Sequence, residues 1–176
     1  MDRYQLGKLV QWAGPSLKTR KRMQKVVYLL KAAGCPIDAD FFLHHYGPYS
    51  TELAQLTDEL VRNGMLVERA TSNPRGQQFE YSLAVEPGES LSKYEETPAG
   101  MSALALLRPY ESRAQDLLRK DVSELEHAST VAFFKSQGES WDEALSKACS
   151  FKRLEPQGAA ATAALALAQA VMEPPD

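Results

Sequence analysis

A chain of 176 residues, 44% of them hydrophobic and 24% charged, has the size and balance of one globular domain with room for a helical extension, which excludes wholesale disorder. Its first segment, "MDRYQLGKLVQW", lacks the apolar run and small-residue end of a secretory signal, and the longest apolar run, "GAAATAALALAQAV", falls short of the roughly 20 residues that span a bilayer. The expected setting is the cytoplasm with no membrane contact; the net charge of −3 divides into +2 for residues 1–86 and −5 for residues 87–176.

In chain order, the apolar segment around Tyr4 to Trp12 predicts a first helix, broken by Gly14 and Pro15. In "KRMQKVVYLLKAAG", Met23, Val26, Val27 and Leu30 recur at the spacing of one helical face, and Gly34 with Pro36 beyond it ends the run. "FLHHYGPYS" follows, expected as a stiff corner, a short helix or turn, in which Gly47 and Pro48 fix the backbone while Tyr46 and Tyr49 wedge into the core. "STELAQLTDELVRNG" places Leu53, Leu56 and Leu60 on one stripe, with Ser50 or Thr51 as N-cap and Gly64 past the end. "MLVERA" and "QFEYSLA" have strand character and flank "TSNPRGQ", a turn-forming stretch, so a hairpin is expected.

"VEPGESLSKYEE" reads as a loop or long wing. Thr97 and Pro98 suit the cap and first turn of a helix that Pro109 kinks or ends. Helices over "YESRAQDLLRK" and "DVSELEHASTVAFFKSQG" follow, the latter with a capping-box start at Asp121 and Glu124. Ser140 and Glu143 form a second such box, and the Ala-rich residues 159–172 are helix-prone by propensity alone. The fold expected is mainly α: a winged helix-like domain with a small β-hairpin over residues 1–96, C-terminal helices packed on it over 97–155, and an Ala-rich helical tail over 156–176.

Candidate chemistry is sparse. His44 and His45 beside Tyr46, Tyr49 and Ser50 supply a base and hydroxyls, but adjacent side chains diverge on helix and strand alike, and His127 stands without ligand spacing. Cys35 and Cys149 match neither a disulfide framework nor a zinc site and are expected to be reduced and buried. No phosphate loop, dinucleotide fingerprint or nucleophile elbow appears. The expectation is a protein without catalytic residues, metal or cofactor. Lys18, Arg20, Lys21, Arg22 and Lys25, joined by Arg69 and Arg75 near the hairpin turn, form a candidate polyanion-facing patch, balanced against a solvated helix start. The helix that would enter a DNA groove carries Glu52, Asp58, Glu59 and Arg62, an unfavourable balance for phosphate.

The motifs "KRMQKVVYLLKAAG" and "FFLHHYGPYSTELAQLTDELVRNGMLVE", with the later "ELEHASTVAFFKSQGESWDEALSKACSFK", resemble the YwgA-like proteins and, more distantly, the Panacea or SocA-like antitoxin domain. The resemblance spans about residues 16 to 155 and carries over to Gln24, Lys25, Tyr46, Gly47, Pro48, Tyr49 and Ser50, a signature in which none is an established catalytic residue. It implies a bacterial regulatory module that binds another protein, a toxin or a defence-system component. The predicted partner surface is His45, Tyr46, Gly47, Pro48, Tyr49 and Ser50, with the Ala-rich tail as a further contact. A winged-helix DNA-binding regulator is the alternative, and a homo-oligomer is compatible with either.

Overall fold

The computed structural model describes residues 1–73 and 76–173. Helix α1 (Arg3–Trp12) starts in a capping box between Asp2 and Gln5 and leads into a two-residue strand, β1 (Leu17–Lys18). In α2 (Arg20–Ala32) the predicted face of Met23, Val26, Val27 and Leu30 is buried, and so is every residue between Met23 and Leu30. A helix buried on all sides belongs at the centre of a fold, and α2 occupies that place. Gly34 terminates it in the left-handed region at φ +91°.

The next segment corrects the expected short helix or turn. Phe42–His44 (β2) and Gly47–Tyr49 (β3) form an antiparallel two-stranded hairpin, registered Phe42 to Tyr49, Leu43 to Pro48 and His44 to Gly47. Ser50 then caps α3 (Thr51–Arg62), accepting a hydrogen bond from the Leu53 N–H, with Leu53 and Leu60 buried and Leu56 half-buried as the stripe predicts. The predicted second hairpin is present as β4 (Leu66–Asn73) and β5 (Gly76–Leu83), longer than the apolar letters suggest because polar residues near the turn also pair. The short β1 adds to it, giving a three-stranded antiparallel sheet in the order β1-β5-β4.

"VEPGESLSKYEE" is neither loop nor wing: it is helix α4 (Val85–Glu95). Its Pro87 and Gly88 make a poor helix by propensity, and contacts with α1 supply what propensity does not. Leu91 is buried against Gly7, the Tyr4 and Tyr94 rings meet edge to face at 5.2 Å, and Glu95 takes Lys8 at 2.8 Å and the Tyr4 hydroxyl at 3.0 Å. Helix α5 (Pro98–Leu107) has the predicted Thr97 cap, and Pro109 falls in a 3-10 turn, Arg108–Tyr110, that leads into α6 (Glu111–Arg119). The capping box expected at Asp121 does not form; Glu124 instead pairs with Lys120 at 3.1 Å. The box at Ser140 does form.

Helix α7 (Val122–Ser136) packs on α2, on β3, on α8 (Trp141–Lys152) and on α9 (Ala159–Met172), and one continuous apolar core runs from Leu6 to Val171. Ala161, Ala164, Ala168 and Val171 of α9 are buried, a small-residue face closed largely by α7. The small side chains expected to receive a partner helix are therefore packed inside the molecule. Both cysteines are free thiols and buried. Among the described residues no helix is long and apolar enough to cross a membrane.

Two glycines separate close packing from chain flexibility. A Cβ at Gly100 would lie 1.9 Å from the Tyr94 carbonyl oxygen, a backbone atom that cannot step aside, whereas a Cβ at Gly88 meets nothing within 4 Å. Gly100→Ala is expected to cost at least about 2 kcal/mol, and Gly88→Ala to add about 0.5–1 kcal/mol, in urea denaturation. Equal midpoints for the two variants would contradict the packing at the α4–α5 junction.

Candidate functional site

The β2–β3 hairpin is held on its inner side by α2, α7 and α8 and leaves its outer side bare. Gly47 has φ +86°, and a Cβ there would approach Thr130 Oγ1 at 2.7 Å, so both the backbone and the neighbouring helix require glycine. Pro48 brings no N–H to this buried edge; only its carbonyl needs a partner, and Lys25 Nζ donates to it at 2.6 Å. The Gln24 side-chain amide acts as a second strand for one residue: its Nε2 donates to the Ser50 carbonyl at 2.9 Å and its Oε1 accepts from the Ser50 N–H at 2.8 Å. Lys152 of α8 donates to the His45 carbonyl at 3.0 Å. The spacing of "QK" and "GPYS" in the sequence is therefore the spacing of a clamp, made between consecutive residues of α2 and the end of β3.

Beneath the hairpin, Glu126 of α7 accepts from Lys21 at 3.1 Å and from Lys152. Burial alone would raise its carboxyl, but these two hydrogen bonds hold it below the ordinary carboxylate range. Lys25 is 2% exposed, and burial pulls its ammonium down to about 7; Glu126 opposes that shift, while Lys152 and Lys21 add to it. Lys25 thus titrates near neutrality because it has left water.

On the outer side the rings run in sequence. Phe42 stands 5.8 Å from Tyr49, Tyr49 stands 5.6 Å from His44, and His44 stands 6.1 Å from Tyr46, whose face carries Lys21 Nζ at 4.0 Å. Phe42 is 49% and Tyr46 50% exposed. Between this face, α2 and α3 lies a cleft of about 180 Å³, walled by Met23, Ala54, Thr57 and the two tyrosines.

The predicted partner set is split by this arrangement. His45 and Tyr46 are exposed and Tyr49 is half-buried, but Gly47, Pro48 and Ser50 face inward and serve as attachment points. Phe42 and His44 belong to the surface and were not among the predicted residues. Their signal was present as the alternation of Phe42 and His44, which puts two ring-bearing residues on one side of β2, with Tyr46 following in the turn.

The basic cluster does not form one solvated patch: Arg20, Lys21 and Lys25 border the cleft, while Lys18 and Arg22 lie apart from it. A helix turns about 100° per residue, so cations adjacent in sequence leave α2 in different directions. Arg20 meets Asp58 at 2.6 Å, Glu68 at 2.9 Å and the Tyr81 hydroxyl. Lys21 reaches Glu126; Arg22 donates to the carbonyls of Leu118, at 2.8 Å, and Lys120; Lys25 is buried. Lys18 and Arg69 are exposed, the latter opposite Glu80 in the sheet, and Arg75 lies outside the described residues. His44 and His45 lie on the hairpin and His127 on α7, and no group of three metal-ligating side chains converges among the described residues.

No family model matches the chain. Over 64 residues it is 38% identical to an uncharacterised protein, YwgA, of Bacillus subtilis (strain 168). That match takes in 36% of this chain and 39% of the relative, so the chain spans about two fifths of the length of the curated relative it matches. The similarity supports a YwgA-like relationship and assigns no activity.

Lys25 also predicts a pH dependence. An amine whose folded pKa lies below its ordinary value is charged in the unfolded chain and neutral in the folded one between about 7 and 10.5. Stability should therefore rise with pH across that window, by up to about 1.4 kcal/mol per unit, and its Lys25-dependent part should be flat below it. Urea denaturation at pH 7 and pH 9, compared between the native chain and Lys25→Met, isolates this slope; an identical pH profile in the variant would show that Lys25 titrates normally.

Proposed function

We propose that the protein is a non-enzymatic regulatory module that binds another protein, in the manner of an antitoxin or an accessory subunit of a bacterial defence system. The observation that supports this reading is the hairpin: helices from both halves of the chain fix its backbone, while its aromatic face is left to solvent. Exposed Phe and Tyr rings gathered on a rigid frame are the composition of a protein-contact surface, where aromatic side chains supply area at little entropic cost. The resemblance to SocA-like antitoxins, which act by holding a partner, agrees with it. An N-terminal part with α1, β1, α2, α3 and the β4–β5 hairpin in that order also agrees with a winged helix-like domain.

The DNA-binding alternative draws less support. Four of the five clustered cations point to partners inside the protein, and α3 presents Glu52 and Asp58 to solvent. A groove lined by phosphates would meet carboxylates first.

The test is affinity isolation of the tagged full-length chain from its native lysate, with and without nuclease, beside a Phe42→Ser/Tyr46→Ser variant whose fold is checked by circular dichroism. A stoichiometric protein that resists nuclease and falls about tenfold or more in the variant is the expected outcome. Recovery of nucleic acid alone, unchanged in the variant, would overturn the reading in favour of the regulator.

A further inference from the structure

The cleft beside the aromatic face has a chemistry of its own. Met23, Ala54 and the rings of Tyr46 and Tyr49 give it apolar walls, yet the half-buried Arg20 and Lys21 and the exposed His44 line it on the solvent side and the buried Lys25 on the inside, and no carboxylate among the described residues contributes to the lining. The acids that pair with these cations, Glu126, Asp58 and Glu68, lie outside the cleft wall. Lys25 has one hydrogen-bond acceptor, the Pro48 carbonyl, among the described residues, so at least one of its N–H donors is left over. An occupant therefore gains from apolar contact inside and from negative charge at the rim.

The volume narrows the choice. About 180 Å³ admits a group on the order of one side chain, so the apolar atoms and the charge must come close together. An aspartate or glutamate has the charge without the apolar body, and an internal leucine or phenylalanine has the body without the charge. The last residue of a chain, when its side chain is apolar, carries both on one Cα.

We propose that this cleft receives the C-terminal residue of the partner protein, its apolar side chain between Tyr46, Tyr49, Met23 and Ala54, and its α-carboxylate against Lys21, Arg20 and His44. The assignment rests on the protein-binding reading above and specifies where and by what chemistry the partner is held. Arg20 and Lys21 keep donors beyond those used by their present acids, so the carboxylate adds to those pairs without displacing them.

The test uses fluorescein-labelled pentapeptides ending in Leu, Phe or Met, each as free acid and as C-terminal amide, titrated with the full chain by fluorescence polarisation. At least one free acid should bind about tenfold or more tightly than its amide, the difference expected for a hydrogen-bonded charge. Lys21→Gln and His44→Ala, both at the rim, should each weaken the acid and leave the amide unchanged. Ala54→Leu, which fills the cleft, should weaken both. Acid and amide binding alike would overturn the proposal. So would failure of every peptide when the lysate experiment yields a partner sensitive to Phe42 and Tyr46; the protein-binding reading then stands and the partner sits on the aromatic face alone. If 4-methylpentanoate competes as tightly as the peptides, the cleft is a small-carboxylate site, and the chain-terminus assignment fails.

Discussion

A single buried lysine, its amine pulled down to about 7 by burial, sets the terms for the rest of the molecule. Lys25 leaves water to hold the Pro48 carbonyl, and an amine that far inside a protein gives up part of its charge and needs the groups around it fixed. Glu126 supplies the compensating negative field but bonds directly to Lys21 and Lys152, so these side chains share one carboxylate's influence. The next residue back, Gln24, closes the neighbouring backbone groups of Ser50, and the Ser50 hydroxyl in turn caps α3. One turn of α2 thereby sets the hairpin's depth, the direction in which α3 leaves and the width of the cleft between them.

The C-terminal helices act through the same point. Helix α7 presents Glu126 and Thr130 to the hairpin, and the Thr130 hydroxyl, which donates to the Glu126 carbonyl at 2.7 Å, sits where a side chain on Gly47 would have to be. Behind α7, the alanine face of α9 packs against a helix with buried Ala128, Val131 and Ala132, small residues that let helices approach closely and leave little room to slide. The tail is therefore a brace for α7, as α7 is for the hairpin. A surface far from the end of the chain depends on residues near it.

How much of this was legible in the sequence follows from how local each cause is. The α2 face, the α3 stripe, the Thr97 and Ser140 caps and the β4–β5 hairpin rest on spacings of a few residues and could be read directly. Helix α4 could not, because Pro87 and Gly88 argue against it locally and the favourable contacts come from Gly7, Lys8 and Tyr4, about ninety residues away. The β2–β3 hairpin was hidden by Pro48, a residue that usually speaks against a strand; it fits here because its missing donor lies on a buried edge. The cations misled for a geometric reason: five charges close in sequence look like a patch, and the pitch of α2 sends Arg20 towards β4, Lys21 towards α7 and Arg22 towards the end of α6.

The electrostatics and the aromatic face point the same way. On α3, Asp58 faces Arg20 at 2.6 Å and Glu59 faces Arg3, so acids that would repel a polyanion already serve as ties between elements. These exposed pairs contribute little stability by themselves, but they absorb the charge that a long-range steering field would need. What the hairpin offers instead is short-range: rings 5.6 to 6.1 Å apart restrain one another's rotamers before any partner arrives. Binding to such a face loses little side-chain freedom, so the clamp that costs the fold the burial of a lysine gives the surface its preorganisation.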